Sequence, residues 1–353
     1  MASSDVDHRA APRALVTGGS GYFGSLLLEQ LLRAGWSCAS LDLHDAQDRP
    51  PEVDFHRADV RDAAAVARAV AGCEVVFHNV AQVPLAKDRQ AFESVNVHGT
   101  RVLLEAAQGA GVSKVVYTSS SAVFGVPERN PVTETTTPVP REAYGRAKLE
   151  GEKVCDEFVR RGLDVTVIRP RTILGHGRLG IFQILFEWVR QGHNIPVLGS
   201  GDNLYQFVHA DDLADATLRA ACRPGPAVYH CGAREFGTMR QTLEALCRHA
   251  ATGSRVRSVP ARPAQWAMEL TSVLGLSPLG AYHSLMFGRS MYFDIGRAVR
   301  ELGWEPRHSN EDMIVQSYDW YLQHRQEILA AGPRSRHRSA VSQGVLALVK
   351  RLL

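Results

Sequence analysis

The sequence predicts an α/β fold: a doubly wound parallel sheet with helices on both faces and a smaller C-terminal lobe. Three observations carry this expectation. Short apolar runs alternate with helix-length segments through the first half of the chain, the spacing that parallel crossovers require. Runs such as EVVF and KVVYT are apolar on both faces, as strands covered on both sides must be. After about residue 175 the alternation gives way to longer segments broken by Gly and Pro, which suits a lobe built over the sheet edge.

Residues 13–18 (RALVTG) read as the first strand, and Tyr22 to Ala34 as a helix with Leu at 26, 27, 28, 31 and 32. SCASLDL over 37–43 is the second strand, and a third precedes ADVRD. DAAAVARAVAG then reads as a helix, CEVVFHNVA as a strand, 90–110 as a helix and KVVYTSS as a strand. A long helix (REAYGRAKLEGEKVCDEFVRRG) and the strand LDVTVIRP complete the pattern. The expected units are residues 13–175 with returning strands from 200–232, a lobe over 176–325, and a tail over 331–353. The most apolar part of the lobe, 264–288, reads as core or pocket wall, with a dimer or membrane-surface contact as the sharper alternative. The tail joins a basic linker to an amphipathic segment (Val345, Leu346, Leu348, Val349, Leu352, Leu353), which suits a self-docked end or a peripheral contact with an anionic membrane or a protein.

With 353 residues, 45% hydrophobic and 22% charged, the chain has the composition of a folded globular protein of roughly two domains. A formal charge of +3 is too even to be a nucleic-acid footprint. The six cysteines contain no C-x-x-C pair, which argues against a zinc site or a disulfide framework and for a reducing cytoplasm. Residues 1–13 lack a secretory apolar stretch, and nowhere do eighteen apolar residues run together; the expectation is a cytoplasmic protein that does not span a membrane.

Thr17-Gly18-Gly19-Ser20-Gly21-Tyr22-Phe23-Gly24 lies between the first strand and the first helix, where a Gly-rich turn has a mechanism. Gly18 permits the sharp turn, Gly21 lets the backbone approach a pyrophosphate, and Gly24 lets helix pack on strand. The second strand ends in Leu41-Asp42-Leu43, and a carboxylate there accepts the adenosine ribose diol while repelling a 2′-phosphate. NAD is therefore expected over NADP. This Rossmann-type reading gains from Tyr144 and Lys148, four residues apart and so on one helix face. A phenol with a pKa near ~10 is a poor base at neutral pH, but an adjacent ammonium and a bound nicotinamide cation both favour the phenolate. Such a Tyr can exchange a proton with an alcohol or ketone. Upstream, Thr118-Ser119-Ser120-Ser121 ends a strand, and a hydroxyl there can hold the substrate oxygen, although several compete.

These residues resemble the extended short-chain dehydrogenase/reductases of the NAD-dependent epimerase/dehydratase family, over roughly residues 13 to 325. The family's strand-end pattern selects Ser120, five before Gly125, as the hydroxyl beside Tyr144 and Lys148. The resemblance implies cofactor contacts from Gly18, Ser20, Gly21, Tyr22, Phe23, Gly24 and Asp42, from Asp59 and Val60 flanking the adenine, and from Val80, Ala81 and Gln82 beside the ribose. Pro170 and Thr172 would close on the nicotinamide, and Asn96 resembles the family Asn whose backbone carbonyl helps orient the Lys. For the substrate it implies Val83, Ser120, Ser121, Tyr205 and Gln206, and it implies a homodimer acting on a small molecule.

Departures from the family bear on the substrate. Nucleotide-sugar epimerases usually have Asn where Thr172 stands and a basic residue where Tyr205 or Gln206 falls. Sugar 4,6-dehydratases carry an Asp-Glu pair where this chain has Ser121-Ala122, which disfavours dehydration. The expected function is NAD-dependent oxidation of a secondary alcohol, of the nucleotide-sugar epimerase type. The alternative is a 3β-hydroxysteroid dehydrogenase-like enzyme taking an apolar substrate, for which the stretch 264–288 would suit. Non-catalytic redox sensors of this fold lose the Tyr or the Lys; this chain keeps both.

Overall fold

The computed structural model describes residues 11–82, 89–179, 181–273 and 286–330, together with Lys350. The expectations for Val83, for residues 274–285 and for the rest of the tail fall outside the described residues.

Strands β1 (Arg13–Thr17), β2 (Ser37–Asp42), β3 (Asp54–Arg57), β4 (Val75–His78), β5 (Lys114–Thr118) and β6 (Val165–Pro170) alternate with helices α1 (Tyr22–Arg33), α2 (Ala63–Val70), α3 (Arg89–Glu93), α4 (Thr100–Gly109) and α5 (Ala143–Arg160). Beyond them come β7 (Thr172–Leu174), α6 (Ile181–Arg190), β8 (Ile195–Leu198), β9 (Leu204–Tyr205), β10 (Phe207–His209), α7 (Ala210–Cys222), β11 (Ala227–Cys231), β12 (Gly237–Thr238), α8 (Met239–Ala250), β13 (Val256–Val259) and α9 (Ala261–Val273). Seven strands form one parallel sheet in the order β11-β6-β5-β4-β1-β2-β3. The order reverses between β1 and β4, so the crevice for a ligand opens at their C-terminal ends, beside Thr17 and His78.

Both faces of the sheet are dry, as the uninterrupted apolar runs predict. On one face Val16, Phe77, Val116 and Ile168 pack against Leu27 and Leu31 of α1 and Leu213 of α7. On the other, Leu15, Val76, Val115 and Val167 meet Val66 of α2, Leu103 of α4 and Phe158 of α5. Each such side chain contributes about 1.5–3 kcal/mol by leaving water.

The lobe has its own core, with Phe182, Phe186, Trp188, Leu246, Met313 and Tyr321 at its centre. The boundary expected from sequence is redrawn in two places. Of the segment 200–232 only β11 joins the large sheet, whereas β10 pairs with β7 apart from it. Conversely, the helix Gly296–Leu302 and Trp304, expected in the lobe, pack into the sheet core. The fully buried Trp304 indole donates to the Asp212 carbonyl at 2.8 Å, a tether that a local periodicity pattern does not reveal. The helix expected over 90–110 is also interrupted, by a π-helical turn at Ser94–Gly99. Among the described residues, no helix is long and apolar enough to cross a membrane.

Candidate active site

The turn from β1 into α1 is shaped by close approach. Gly18 has φ +73°, and a Cβ on Gly24 would stand 2.1 Å from the Gly18 carbonyl oxygen, so both positions demand glycine. The first-turn N–H groups of α1 carry no side-chain cap, the arrangement that accepts a pyrophosphate. Tyr22 donates its hydroxyl to the His176 carbonyl at 3.0 Å, and Phe23 packs into the core. At the end of β2 the Asp42 carboxylate accepts N–H groups from Ser20 at 3.2 Å and Leu43 at 2.7 Å. Burial pushes its pKa up, and these backbone donors oppose the shift. The carboxylate therefore lies against the Gly-rich turn, where a dinucleotide's ribose diol would find it. NAD is expected to bind at least about tenfold more tightly than NADP, and Asp42→Ala to bring the two within about threefold, as measured by titration calorimetry. Equal affinities in the unmodified protein would contradict this role.

Beside the turn, a chain of hydrogen bonds fixes the end of β4. The Thr100 hydroxyl donates to the Asn96 carbonyl at 2.8 Å, so the His78 Nε2 at 3.0 Å must donate to Thr100, and Nδ1 accepts from Thr17 at 2.8 Å. Burial and the Lys148 charge hold the His78 pKa down at about 3, keeping the ring neutral. Within the π-helical turn the Asn96 side chain grips Gln82 at both backbone groups, at 2.7 and 3.2 Å. Asn96 thus bonds to Gln82 and Thr100, while the Lys148 ammonium goes to the Thr118 carbonyl. Val80 packs on the core, its N–H 3.4 Å from the Thr17 hydroxyl, and Ala81 is half-buried. Asp59 is engaged by Arg61 at 2.6 and 2.9 Å, and Val60 is buried against Gly99.

Helix α5 begins with Glu142, whose carboxylate accepts the N–H groups of Tyr144 at 2.7 Å and Gly145 at 2.6 Å. A Cβ on Gly145 would stand 2.4 Å from the Ala122 carbonyl oxygen; the bare glycine lets the helix start rest on the short 3₁₀ turn Ser121–Phe124. Tyr144 is half-buried, its ring edge-on to Phe92. Lys148 is 2% exposed and donates to the Thr118 carbonyl at 2.7 Å, with Nζ 4.8 Å from the Tyr117 ring centroid. Burial lowers its pKa to about 8, against the opposing pull of Cys155 and Glu152. Of the three serines, Ser119 is buried and donates to Glu152, and Ser121 is buried and accepts from Arg171. Ser120 is half-buried and its Oγ accepts the Ala122 N–H at 3.1 Å. Gly145→Val is expected to lower stability by about 1–3 kcal/mol through overpacking and to reduce turnover in the folded fraction, read by denaturant melts beside single-substrate kinetics.

On the lobe side, Thr172 and Tyr205 share a hydroxyl hydrogen bond of 2.8 Å, and Pro170 lies buried opposite Cys231. Gln206, expected at the substrate, is instead 0% exposed: its amide donates to the Ala233 carbonyl at 2.7 Å and accepts the Phe293 N–H at 2.9 Å. It braces the lobe's backbone, with its amide N–H and carbonyl groups both already engaged. Arg171, which sequence reasoning passed over, is buried beside Ser121; a charge inside the strand end RPRTIL was the available signal. His176, His209 and Asp211 also converge, but His209 Nδ1 accepts the Asp211 N–H at 3.2 Å, which commits the lone pair a cation would need.

A dinucleotide-type turn at the switch point of a parallel sheet, with a helix-borne Tyr/Lys pair at the same edge, is the architecture of the extended short-chain dehydrogenase/reductases. The chain belongs to the NAD dependent epimerase/dehydratase family, whose model matches residues 14–232. It is 54% identical to the uncharacterised protein y4nG of Sinorhizobium fredii, over 97% of this chain and 86% of that one. It is 30% identical to a UDP-glucose 4-epimerase of Mycolicibacterium smegmatis, covering 88% of this chain and 98% of that protein. It is 31% identical to a 3 beta-hydroxysteroid dehydrogenase/Delta 5→4-isomerase of Mycobacterium tuberculosis, covering 88% and 90%. In fold it is similar to the crystal structure of UDP-glucose 4-epimerase with UDP-glucose from Thermotoga maritima, at TM-score 0.75 and 24% identity, covering 88% of this chain and 99% of that one.

Proposed function

We propose that the protein is a nucleotide-sugar epimerase-type enzyme that oxidises a secondary alcohol of its substrate and reduces the ketone on the opposite face. Residues 13–175 with α7, β11 and the helix Gly296–Leu302 would form the unit that holds NAD, and the remainder of 176–325 the lobe that holds the substrate. NAD, when bound, supplies the hydride acceptor; the glycine cradle at Gly18 and Gly24 and the Asp42 carboxylate fit it. Tyr144 removes and returns the proton of the reacting hydroxyl. Ser120, the half-buried serine of the three, holds that oxygen. Lys148 favours the Tyr144 phenolate through its charge, with the Thr118 carbonyl fixing its ammonium.

The observation that carries the reading is the polar character of the lobe-side wall: Arg171 bonded to Ser121, and Thr172 bonded to Tyr205, with the Arg171 cation beside the Tyr205 and Phe293 rings. A sugar's hydroxyls can exchange hydrogen bonds with such groups, whereas an apolar steroid packed on them would leave the Arg171 Nε and Nη2 donors unmet. Incubation of the NAD-loaded protein with UDP-glucose or UDP-galactose should interconvert them without net formation of reduced cofactor. Net reduction of NAD by a hydroxysteroid, with no sugar interconversion, would instead establish the dehydrogenase reading that the 31% identical relative supports. The homodimer is tested by light scattering, and the tail contact by flotation of the full chain with anionic vesicles.

A further inference from the structure

Among the buried cations of the described residues that the proposed reaction does not use, Arg171 is the one with two N–H donors unmet. Arg171 is 1% exposed. Its Nη1 donates to Ser121 Oγ at 2.8 Å and lies 3.4 Å from Met291 Sδ. The Tyr205 and Phe293 ring centroids stand 4.8 and 5.7 Å from the guanidinium carbon. Its Nε and Nη2 have no hydrogen-bond partner. These two N–H groups are neighbours and form the side-on edge of the guanidinium, whose parallel donors match the two oxygens of a carboxylate.

In four other arginines of the described structure that same edge is filled by one carboxylate, whereas Arg13 and Arg178 leave Nε alone unmet. Arg49 gives Nε and Nη2 to Asp45, Arg61 to Asp59, Arg325 to Glu187. Arg169, two residues before Arg171, gives both to the buried Glu152. Among the described residues no Asp or Glu is hydrogen-bonded to Arg171, and the open donors are a buried charge with half its fork unmet, a costly arrangement unless something supplies the oxygens.

We infer that Arg171 receives a carboxylate carried by the substrate, and so selects acid-bearing substrates over their uncharged counterparts. The inference rests on the reaction proposed above and adds the class of substrate. The acid would lie near the reacting hydroxyl, because Arg171 bonds the serine next to Ser120. Nε and Nη2 are closed to solvent, so a substrate acid reaches them only when side chains packed around Arg171 move.

The carboxylate could belong to a sugar acid or a sterol acid, and two matched pairs separate these sources. Calorimetric titration of the NAD-loaded protein uses UDP-glucuronate against UDP-glucose, and a 4-carboxylated sterol against the same sterol without the acid. In whichever scaffold binds, the acid should bind at least about tenfold more tightly, and Arg171→Met should bring the pair within about twofold. Arg171→Lys, which keeps the charge but loses the fork, should fall between. Equal affinities in the unmodified protein, or a preference that survives Arg171→Met, overturns the inference and leaves the nucleotide-sugar reading standing if the UDP-sugars bind. Binding of the sterol pair alone overturns the nucleotide-sugar reading, and Arg171 is then judged on that pair. If nothing binds, both fall. Should Arg171→Met fail to hold NAD, Arg171→Lys decides.

Discussion

Tyr144→Phe is expected to lower turnover by about 10²- to 10⁴-fold while NAD affinity changes by less than about threefold, the range for losing a positioned general acid/base. The ring's edge-on contact with Phe92 and the Glu142 cap on the backbone N–H do not involve the hydroxyl, so helix and pocket should keep their shape. The loss should appear in kcat and kcat/KM alike, because the proton moves only as the reaction proceeds. A variant retaining more than a tenth of the original turnover, measured on whichever substrate the unmodified protein accepts, would move the acid/base role to another group. A collapse of NAD binding would show instead that the phenol is a cofactor anchor.

Much of this site is legible in the sequence, because its chemistry demands particular residue types at fixed spacings. A pyrophosphate turn requires glycines where a Cβ would strike backbone, and Gly24 meets that condition literally, 2.1 Å from the Gly18 carbonyl oxygen. Tyr144 and Lys148 follow from the helical repeat. The sheet follows from runs apolar on both faces. What stays hidden depends on contacts between segments remote in sequence. The separate fates of Ser119, Ser120 and Ser121 are decided by Glu152 on α5 and Arg171 beyond β6. Gln206 reads as available because its partners, Ala233 and Phe293, lie 27 and 87 residues away. The return of Trp304 to the sheet core depends on Asp212, 92 residues earlier. The pattern of the lobe is equally opaque locally, since its small sheets pair strands such as β8 and β13 across α7 and α8.

Lys148→Met should abolish at least about 99% of turnover and yet leave the fold at least as stable at pH 7. The two halves have one cause. Burial holds the Lys148 pKa at about 8, below its ordinary 10.5, so the native state resists carrying the charge that Tyr144 requires. That depression corresponds to roughly 3 kcal/mol of destabilisation while the group is charged in both states, below pH 8. Replacing the ammonium with a thioether removes this cost, and leaves the Thr118 carbonyl without its donor, a loss of about 1–3 kcal/mol. The balance at pH 7 is therefore near zero or in favour of the variant. Between about pH 8 and 10.5 the native protein sheds the Lys148 proton while the unfolded chain still holds it. Stability of the unmodified protein should accordingly rise relative to the variant across that window, by up to roughly 3 kcal/mol. Turnover should move the other way, falling above pH 8 as the ammonium that supports the phenolate is lost. Denaturant melts of both proteins at several pH values, set beside the pH–rate profile, test both. A stability difference that ignores pH would mean that Lys148 is solvated in the working protein, and the argument that its burial tunes Tyr144 would fail with it.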